Sequence, residues 1–277
     1  MIANVVHISL NARGGGERLA VTTIKALSSM GIQVELATVD KPNMALIRDA
    51  YGISIEQDLK RVKTLSLFHG SENGITINTH GDLLPYFRRN FNRRNSIVYC
   101  HYPIALHLME CGDSEYARVL NSTCLYTTTE RGRHQYFEAA KEAYRKMMTS
   151  SIVLTNSEFS RKAIFKTFGV DSIVLHPPVD TDVFRSAALF SNVRDNTVLV
   201  VSRFHPSKKI ENAIYLARLL KQNGIDGQMV IAGNMSPEGR SYLDHLRKLA
   251  SQFGLENFVR FETNIRFDRL LHLMRTA

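Results

Sequence analysis

Short apolar runs rich in β-branched residues alternate along the chain with longer stretches of helical period, and this alternation constrains the fold most. It is typical of a parallel sheet covered by helices, because parallel strands need crossover connections that helices usually supply. In the first part of the chain the predicted strands are 4–10, 33–39, 74–78, 96–100, 151–155 and 172–175. Helices are predicted between them, notably over 17–30 and 131–148. The predicted fold class is therefore α/β.

A second series of the same kind follows the turn-rich segment His176-Pro177-Pro178-Val179-Asp180. Two successive prolines fix the backbone and block helix continuation, so this segment suits a linker. We therefore predict two domains, 1–180 and 181–277. The second domain has predicted strands 197–202, 228–232 and 258–261 and predicted helices 208–223, 237–253 and from 267 onward. Three strands are fewer than the roughly five or six of an average sheet, so we expect this domain to be incomplete.

The composition is that of an ordinary globular protein, with 44% hydrophobic and 22% charged residues. The sequence contains no run close to the roughly 18 apolar residues of a membrane helix, and it passes from Met1 directly into a predicted strand. Three cysteines without CxxC spacing indicate neither a disulfide framework nor a zinc site. These features predict a cytoplasmic protein without a membrane anchor or secretory signal.

The formal net charge of +9 favours an anionic partner. Part of that charge lies in 87–94, Phe-Arg-Arg-Asn-Phe-Asn-Arg-Arg. A solvated helix end is the simplest interpretation of this patch, and peripheral contact with an anionic membrane surface is the main alternative. Nucleic acid is not expected as a partner, because no RNA-binding module accompanies the patch. A non-catalytic module for acidic lipid or RNA is accordingly the weakest hypothesis of function.

Three adjacent glycines, Gly14, Gly15 and Gly16, follow the first predicted strand and open a helix. Because glycine has no β-carbon, backbone N–H groups of this turn can approach an anion closely, and the positive helix N-terminus adds to the attraction. A diphosphate or a sugar hydroxyl group suits the loop. A tight turn that holds no ligand is the structural alternative.

The same loop contains part of a dinucleotide-binding motif. Gly14 and Gly16 supply its first two glycines, and Asp40 follows the next strand, where a ribose-binding acid would lie. Leu19 occupies the third glycine position, where glycine normally permits close packing of helix on strand. An oxidoreductase with a nicotinamide or flavin dinucleotide is therefore the second hypothesis of function.

Arg203 and Lys208 form a pair of candidate cations, one at a predicted strand end and one at the predicted start of the next helix. Open α/β sheets bind ligands at this place, and two cations there can neutralise a nucleotide diphosphate as it becomes a leaving group. An exposed basic helix start is the structural alternative. The helix dipole opposes a cation at that position, which favours the ligand-binding interpretation.

Four segments together resemble a known family. They are Gly14-Gly15-Gly16-Glu17-Arg18, Cys100-His101-Tyr102-Pro103, Thr155-Asn156-Ser157-Glu158-Phe159-Ser160, and His176-Pro177-Pro178-Val179-Asp180 with Val201 to Lys209. In this order, and over nearly the whole chain, they resemble the retaining GT-B glycosyltransferases of the family 4 type. The first two segments are especially similar to the enzymes that add α-1,2-mannose to the dolichol-linked oligosaccharide.

The resemblance implies two Rossmann-like domains that face a cleft. It implies transfer of a hexose, mannose or glucose, from a GDP- or UDP-linked donor to a glycan or lipid-linked acceptor, with retention at the anomeric carbon. No metal ion or other cofactor is implied. Members of the family also carry a pair of glutamates on a later loop and helix that bind the donor. This chain ends before that segment, so we expect weak donor binding and slow turnover.

The resemblance also assigns roles to residues. His101 would contact the transferred sugar or the acceptor, and Arg203 and Lys208 would bind the donor diphosphate. Lys209 and Gly233 lie close to the predicted nucleotide site. His80, at a similar strand end, is a weaker candidate. For Asn156, Ser157 and Glu158 the local sequence favours a structural role, with Ser157 as a helix N-cap.

Overall fold

The computed structural model describes residues 1–64, 74–81, 95–103, 142–189, 195–235 and 239–277. Its strands, in chain order, are β1 (Ile2–Val6), β2 (Gln33–Thr38), β3 (Leu59–Thr64), β4 (Ile75–Asn78), β5 (Ser96–Cys100), β6 (Ile152–Thr155), β7 (Ile173–Val174), β8 (Thr197–Val201), β9 (Gln228–Gly233) and β10 (Val259–Thr263). Its α-helices are α1 (Gly15–Ser29), α2 (Met44–Tyr51), α3 (residues 142–149), α4 (Glu158–Phe168), α5 (Thr181–Leu189), α6 (Glu211–Gln222), α7 (Gly239–Gln252) and α8 (Phe267–Thr276).

The chain divides into two units, and each carries its own parallel sheet. The first unit comprises residues 1–11, 15–43 and 55–178, and the second comprises residues 12–14, 44–54 and 179–277. In the first unit the described strands lie in the order β3-β2-β1-β4-β5-β6-β7, and all six neighbouring pairs are parallel. In the second unit the order is β10-β9-β8, again parallel. The predicted α/β class is confirmed.

The core of the first unit lies on its central strands. Four of the five residues of β1 are buried, as expected for a parallel strand covered on both faces by helices. Near β5, buried side chains of Val98 and Cys100 pack with Met147 of α3 and Ile164 of α4. The carboxyl ends of β1, β4 and β5 lie side by side, because β4 pairs with both β1 and β5.

The second unit has a separate apolar core. Ile214 of α6, Ile231 of β9, Leu246 of α7 and Phe204, which follows β8, are buried together there. The apolar positions of α6 recur with helical period, and the face they form is the face that packs on the sheet. This core fixes the segment between β8 and α6, which contains the candidate cations.

Three elements were not predicted from the sequence: β3, α2 and α5. Predicted strand 4–10 corresponds to the shorter β1, and the predicted helix 131–148 is described only over 142–149; its remainder lies outside the described residues. The three strands predicted for the second domain are all present. Among the described residues, no helix has both the length and the apolar character needed to span a bilayer.

Candidate active site

The first unit carries its candidate site where the strand order reverses. From β1 the sheet extends through β2 and β3 on one side, whereas β4 pairs with the other side of β1. Open parallel sheets bind ligands outside the carboxyl ends of the strands at such a switch point. Three histidines follow adjacent strands at this edge: His7 after β1, His80 after β4 and His101 after β5. The topology therefore gathers three imidazoles, which we call the histidine cluster.

Thr79 connects two members of the histidine cluster. Nδ1 of His7 lies 3.0 Å from the Thr79 hydroxyl oxygen, and Nε2 of His101 lies 3.1 Å from the Thr79 carbonyl oxygen. Thr79 is itself held by β1, because its amide and its hydroxyl group donate to the Val6 carbonyl oxygen at 3.0 and 3.1 Å. One residue therefore sets the positions of both rings.

Glu17 of α1 approaches the cluster from the helix. Its Oε1 atom lies 3.7 Å from Nε2 of His7, and the His7 side chain is fully buried. The ring of His80 packs edge-on against that of His7, with 5.1 Å between centroids. A carboxylate and three imidazoles thus share one partly dehydrated volume, where each charge strongly affects its neighbours.

Gly16 brings the predicted glycine loop to the histidine cluster. A β-carbon at this position would lie 3.6 Å from Nε2 of His101 and 3.7 Å from Cε1 of His7. Gly15, by contrast, faces open space. The carbonyl oxygen of Gly14 accepts a hydrogen bond of 2.8 Å from the Tyr51 hydroxyl group. Of the predicted residues in this unit, the structure therefore places Gly16 directly beside His101.

The environment of His80 and His101 favours neutral imidazoles at these two positions. Burial, with a smaller contribution from the neighbouring His7, lowers the pKa of His80 to about 4. Burial also lowers the pKa of His101; the hydrogen bond to the Thr79 carbonyl opposes this change, and His7 adds to it. A neutral imidazole can both donate and accept hydrogen bonds, which suits recognition of hydroxyl groups.

The main chain of His101 is anchored from α4. The Asn156 side-chain amide and the Ser160 hydroxyl group both lie 2.9 Å from the His101 carbonyl oxygen and donate to it. Ser157 is the N-cap of α4, since its side chain accepts from the amide of Ser160, and this confirms the predicted cap. The segment therefore acts structurally, as predicted, and what it positions is the strand end that bears His101.

Asp40, the candidate ribose-binding acid of the dinucleotide hypothesis, has local partners. One of its oxygens, Oδ2, accepts hydrogen bonds from the Ser9 hydroxyl group at 2.9 Å and from the Asn11 side-chain amide at 2.8 Å. Leu19, at the third glycine position, is buried in the helix face that packs on the sheet. Both observations favour a structural role for these residues.

The candidate cations of the second unit lie in an exposed segment after β8. Arg203 follows that strand, and Lys208 is the last residue of a 3₁₀ turn, Pro206–Lys208. The predicted helix start at Lys208 is wrong: α6 begins at Glu211, because Lys209 adopts a left-handed conformation with φ of 49° that ends the turn. The argument from the helix dipole therefore does not apply to Lys208. Within the described part of the chain, neither Arg203 nor Lys208 forms an ion pair with a carboxylate.

Gly233 ends β9, and packing alone explains why this residue is glycine. A β-carbon there would overlap the carbonyl oxygen of Ser202, which follows the paired strand β8. Glycine at position 233 thus allows the ends of β8 and β9 to lie close together. Arg203 directly follows Ser202 in the chain. A role for Gly233 in nucleotide binding stays a prediction.

Sequence reasoning missed one member of the histidine cluster, His7, and the residue that connects it to His101, Thr79. His7 was missed because the predicted strand 4–10 contained it, whereas β1 ends at Val6, so that His7 follows β1 as His101 follows β5. The arginine patch 87–94 lies outside the described residues, so its interpretation stays open. Among the described residues no group of three His, Cys, Asp or Glu side chains is arranged to hold a metal ion.

Several solved structures superpose on this chain, among them a glycosyltransferase. HepE of Anabaena, in complex with UDP and glucose, superposes with a TM-score of 0.61 over 99% of this chain and 72% of its own, at 14% identity. A glycosyltransferase of Rickettsia africae superposes with a TM-score of 0.58 over 100% of this chain and 71% of its own, at 13% identity. The fold is that of the GT-B glycosyltransferases.

Family models cover the chain from residue 13 to its last residue. Residues 13–183 match Glycosyltransferase Family 4, and residues 184–277 match Glycosyl transferases group 1. The chain therefore belongs to Glycosyltransferase Family 4. The resemblance stated from the motifs is confirmed at this level.

A curated relative gives a more distant match. The human GDP-Man:Man(3)GlcNAc(2)-PP-Dol alpha-1,2-mannosyltransferase is 25% identical over 138 residues, which are 46% of this chain and 28% of the human protein. The match thus spans well under a third of that enzyme. The human protein is an α-1,2-mannosyltransferase, the kind of enzyme to which the glycine and His-Tyr-Pro segments are similar.

Proposed function

We propose that this chain is the catalytic part of a glycosyltransferase that moves a hexose from a nucleoside diphosphate sugar to a glycan or lipid-linked acceptor, with retention at the anomeric carbon. The single observation that carries the proposal is membership of Glycosyltransferase Family 4, with the adjoining group 1 match over the rest of the chain. Mannose from GDP-mannose and glucose from UDP-glucose are the two donors to test first, since the human relative and HepE are described with these bases.

Arg203 and Lys208 would bind the donor diphosphate. Both side chains are exposed and lie in one short segment after β8 that is fixed by the buried ring of Phe204. At an effective dielectric constant near 20, one cation about 4 Å from a phosphate contributes roughly 4 kcal/mol before desolvation. Only the part that increases as negative charge develops on the leaving group accelerates the reaction. The proposal requires no metal ion for this step, and Lys209 and Gly233 are assigned to the same neighbourhood.

His101 would contact the transferred sugar. Its ring is held between the Thr79 carbonyl oxygen and the ring of Tyr99, whose centroid is 5.0 Å away, and its main chain is anchored by α4. Gly16 leaves room beside this ring that a larger residue would fill. A neutral, oriented imidazole can hydrogen-bond a sugar hydroxyl group without introducing a charge.

Calorimetric titration with GDP, UDP and NAD tests the donor assignment. We expect GDP or UDP to bind, and Arg203→Ala and Lys208→Ala each to weaken that binding about 10- to 100-fold, the usual effect of losing one charged hydrogen bond. Release of nucleoside diphosphate from the matching hexose donor is then measured in the presence of a lipid-linked acceptor.

Lys248→Ala is the matched control, since Lys248 is an exposed lysine of α7 in the same unit. Its donor affinity should equal that of the unmodified chain. If NAD binds to Arg203→Ala, Lys208→Ala and Lys248→Ala alike, and GDP and UDP do not bind, the dinucleotide hypothesis replaces the proposal. Equal binding of GDP or UDP by every variant would remove Arg203 and Lys208 from the site.

A further inference from the structure

The hydrogen-bond pattern around Thr79 fixes where the imidazole protons are. The Thr79 hydroxyl group has one proton, which it donates to the Val6 carbonyl oxygen, so it accepts from His7 and Nδ1 of His7 carries a proton. The Thr79 carbonyl oxygen only accepts, so Nε2 of His101 carries a proton. A neutral His101 therefore has an unprotonated Nδ1, which is a hydrogen-bond acceptor.

The second nitrogen of His7 has an unusual position. Nε2 is buried and has no hydrogen-bond partner among the described residues, and Oε1 of Glu17 lies 3.7 Å from it. At 3.7 Å the two atoms are too far apart for a hydrogen bond, so the buried Glu17 carboxyl group acts on the His7 ring electrostatically.

We propose that Glu17, His7 and Thr79 are positioning residues for His101, which they hold as a neutral ring with its proton on Nε2 and with Nδ1 as the acceptor for a hydroxyl group of the bound sugar. The inference rests on the proposed function for the identity of the bound group. The contacts that carry it, from Glu17 through His7 and Thr79 to His101, all lie within the first unit.

His7 and Glu17 act in opposite directions on the pKa of His101. His7 lowers the pKa of His101, and Glu17 raises it, while burial sets the overall lowering. The other described titratable groups that act on the ring are His80 after β4 and Tyr99 of β5. Because the two effects have opposite sign, removing one partner at a time moves the protonation of His101 in opposite directions.

The experiment follows the His101 ring by NMR of histidine-labelled protein over pH 4 to 8, without donor or acceptor. In the unmodified chain the ¹⁵N signals at neutral pH should report an Nε2–H tautomer. His7→Gln should move the titration midpoint of His101 upward, and Glu17→Gln should move it downward, each by about 0.5 pH unit or more. The acid limb of kcat/KM for transfer should move with the midpoint.

Glu142→Gln is the control, because Glu142 is an exposed glutamate of the same unit. It should leave the midpoint unchanged. If His7→Gln does not fold, Thr79→Val and Thr79→Ser supply a second test, read on His7: loss of the hydroxyl group should leave His7 with a mixture of tautomers, and serine should restore the single tautomer. Midpoints that stay fixed, or that move in the same direction in His7→Gln and Glu17→Gln, would overturn the inference.

The two proposals fail in different ways. If the His101 midpoints move as expected but no hexose donor is consumed, the positioning role stands and the proposed function is wrong. If transfer is measured while both midpoints stay at the wild-type value, the proposed function stands and the positioning role is wrong.

Discussion

The partly buried His80 ties the stability of the first unit to pH. Its pKa in the folded chain is about 4, because burial and the neighbouring His7 disfavour the charged form, whereas an unfolded chain has a histidine pKa near 6.5. Between these values the unfolded state binds more protons than the folded state. Stability therefore rises with pH across this window and is lost as the pH falls from about 6.5 towards 4.

His80→Gln should reduce this acid sensitivity. From the two pKa values, the contribution of His80 falls by about 2 kcal/mol between pH 7 and pH 5, and the glutamine variant lacks that loss. Thermal melts followed by circular dichroism at both pH values measure it, and the Tm difference should be smaller in the variant. His272→Gln, at an exposed histidine, should behave as the unmodified chain does. An equal Tm difference in His80→Gln and the unmodified chain would contradict the assignment.

At the level of secondary-structure elements, the ends of β8 and β9 lie in close contact at Gly233. These strands pair in register up to Val201 and Ala232, and the Ser202 amide then donates to the Ala232 carbonyl oxygen at 3.0 Å. The Ser202 carbonyl oxygen fills the place that a side chain on Gly233 would need. The segment that bears Arg203 therefore leaves the sheet in a direction that depends on this one glycine.

Gly233→Ala should destabilise the second unit by about 3 kcal/mol, because a methyl group must displace backbone rather than a flexible side chain. The measurement is the free energy of unfolding from guanidinium titration. Gly15→Ala is the matched control, since a β-carbon there meets open space and alanine favours the first turn of α1. Unfolding free energies that agree for the two variants would contradict the packing explanation.

The elements that the sequence predicted are those with a strong periodic signal. The buried strands β1, β5 and β9 are mostly apolar, and α6 has apolar residues on one face. By contrast β3, Leu-Lys-Arg-Val-Lys-Thr, lies at the sheet edge and is largely exposed, so tertiary pairing rather than its own apolar pattern makes it a strand. α5 begins directly after the proline linker, where turn signals hide the helix start.

Site residues could be predicted from the sequence where a reactive or glycine residue lies in a recognisable motif next to a predicted strand end. His101 and Gly16 were named from their segments, and the structure places them side by side. The roles of His7 and Thr79 depend on the pairing of β1 with β4, strands that are far apart in sequence. Local sequence carries no record of that pairing, which is why the hydrogen bonds of Thr79 became visible only with the fold.

Across the whole molecule, positive charge exceeds negative charge by nine. Several basic side chains are neutralised locally, such as Arg161 by Asp171 at 3.0 Å and Arg269 by Glu262 at 2.8 Å. The exposed Arg203 and Lys208 are not among the ion-paired residues of the described chain. A net positive field of this kind attracts anions from a distance, and its reach shortens as salt is added.

Binding of GDP or UDP should therefore weaken with salt. The Debye length falls from about 10 Å at 0.1 M to about 3 Å at 1 M NaCl, so we expect a three- to tenfold loss of affinity over this range, measured by calorimetry. Guanosine or uridine, which carry the base without phosphates, should show no such loss. In Arg203→Ala the salt dependence should be reduced, because one of the screened charges is gone. A nucleoside that loses affinity as steeply as its diphosphate would assign the salt effect to the base and contradict phosphate binding by these cations.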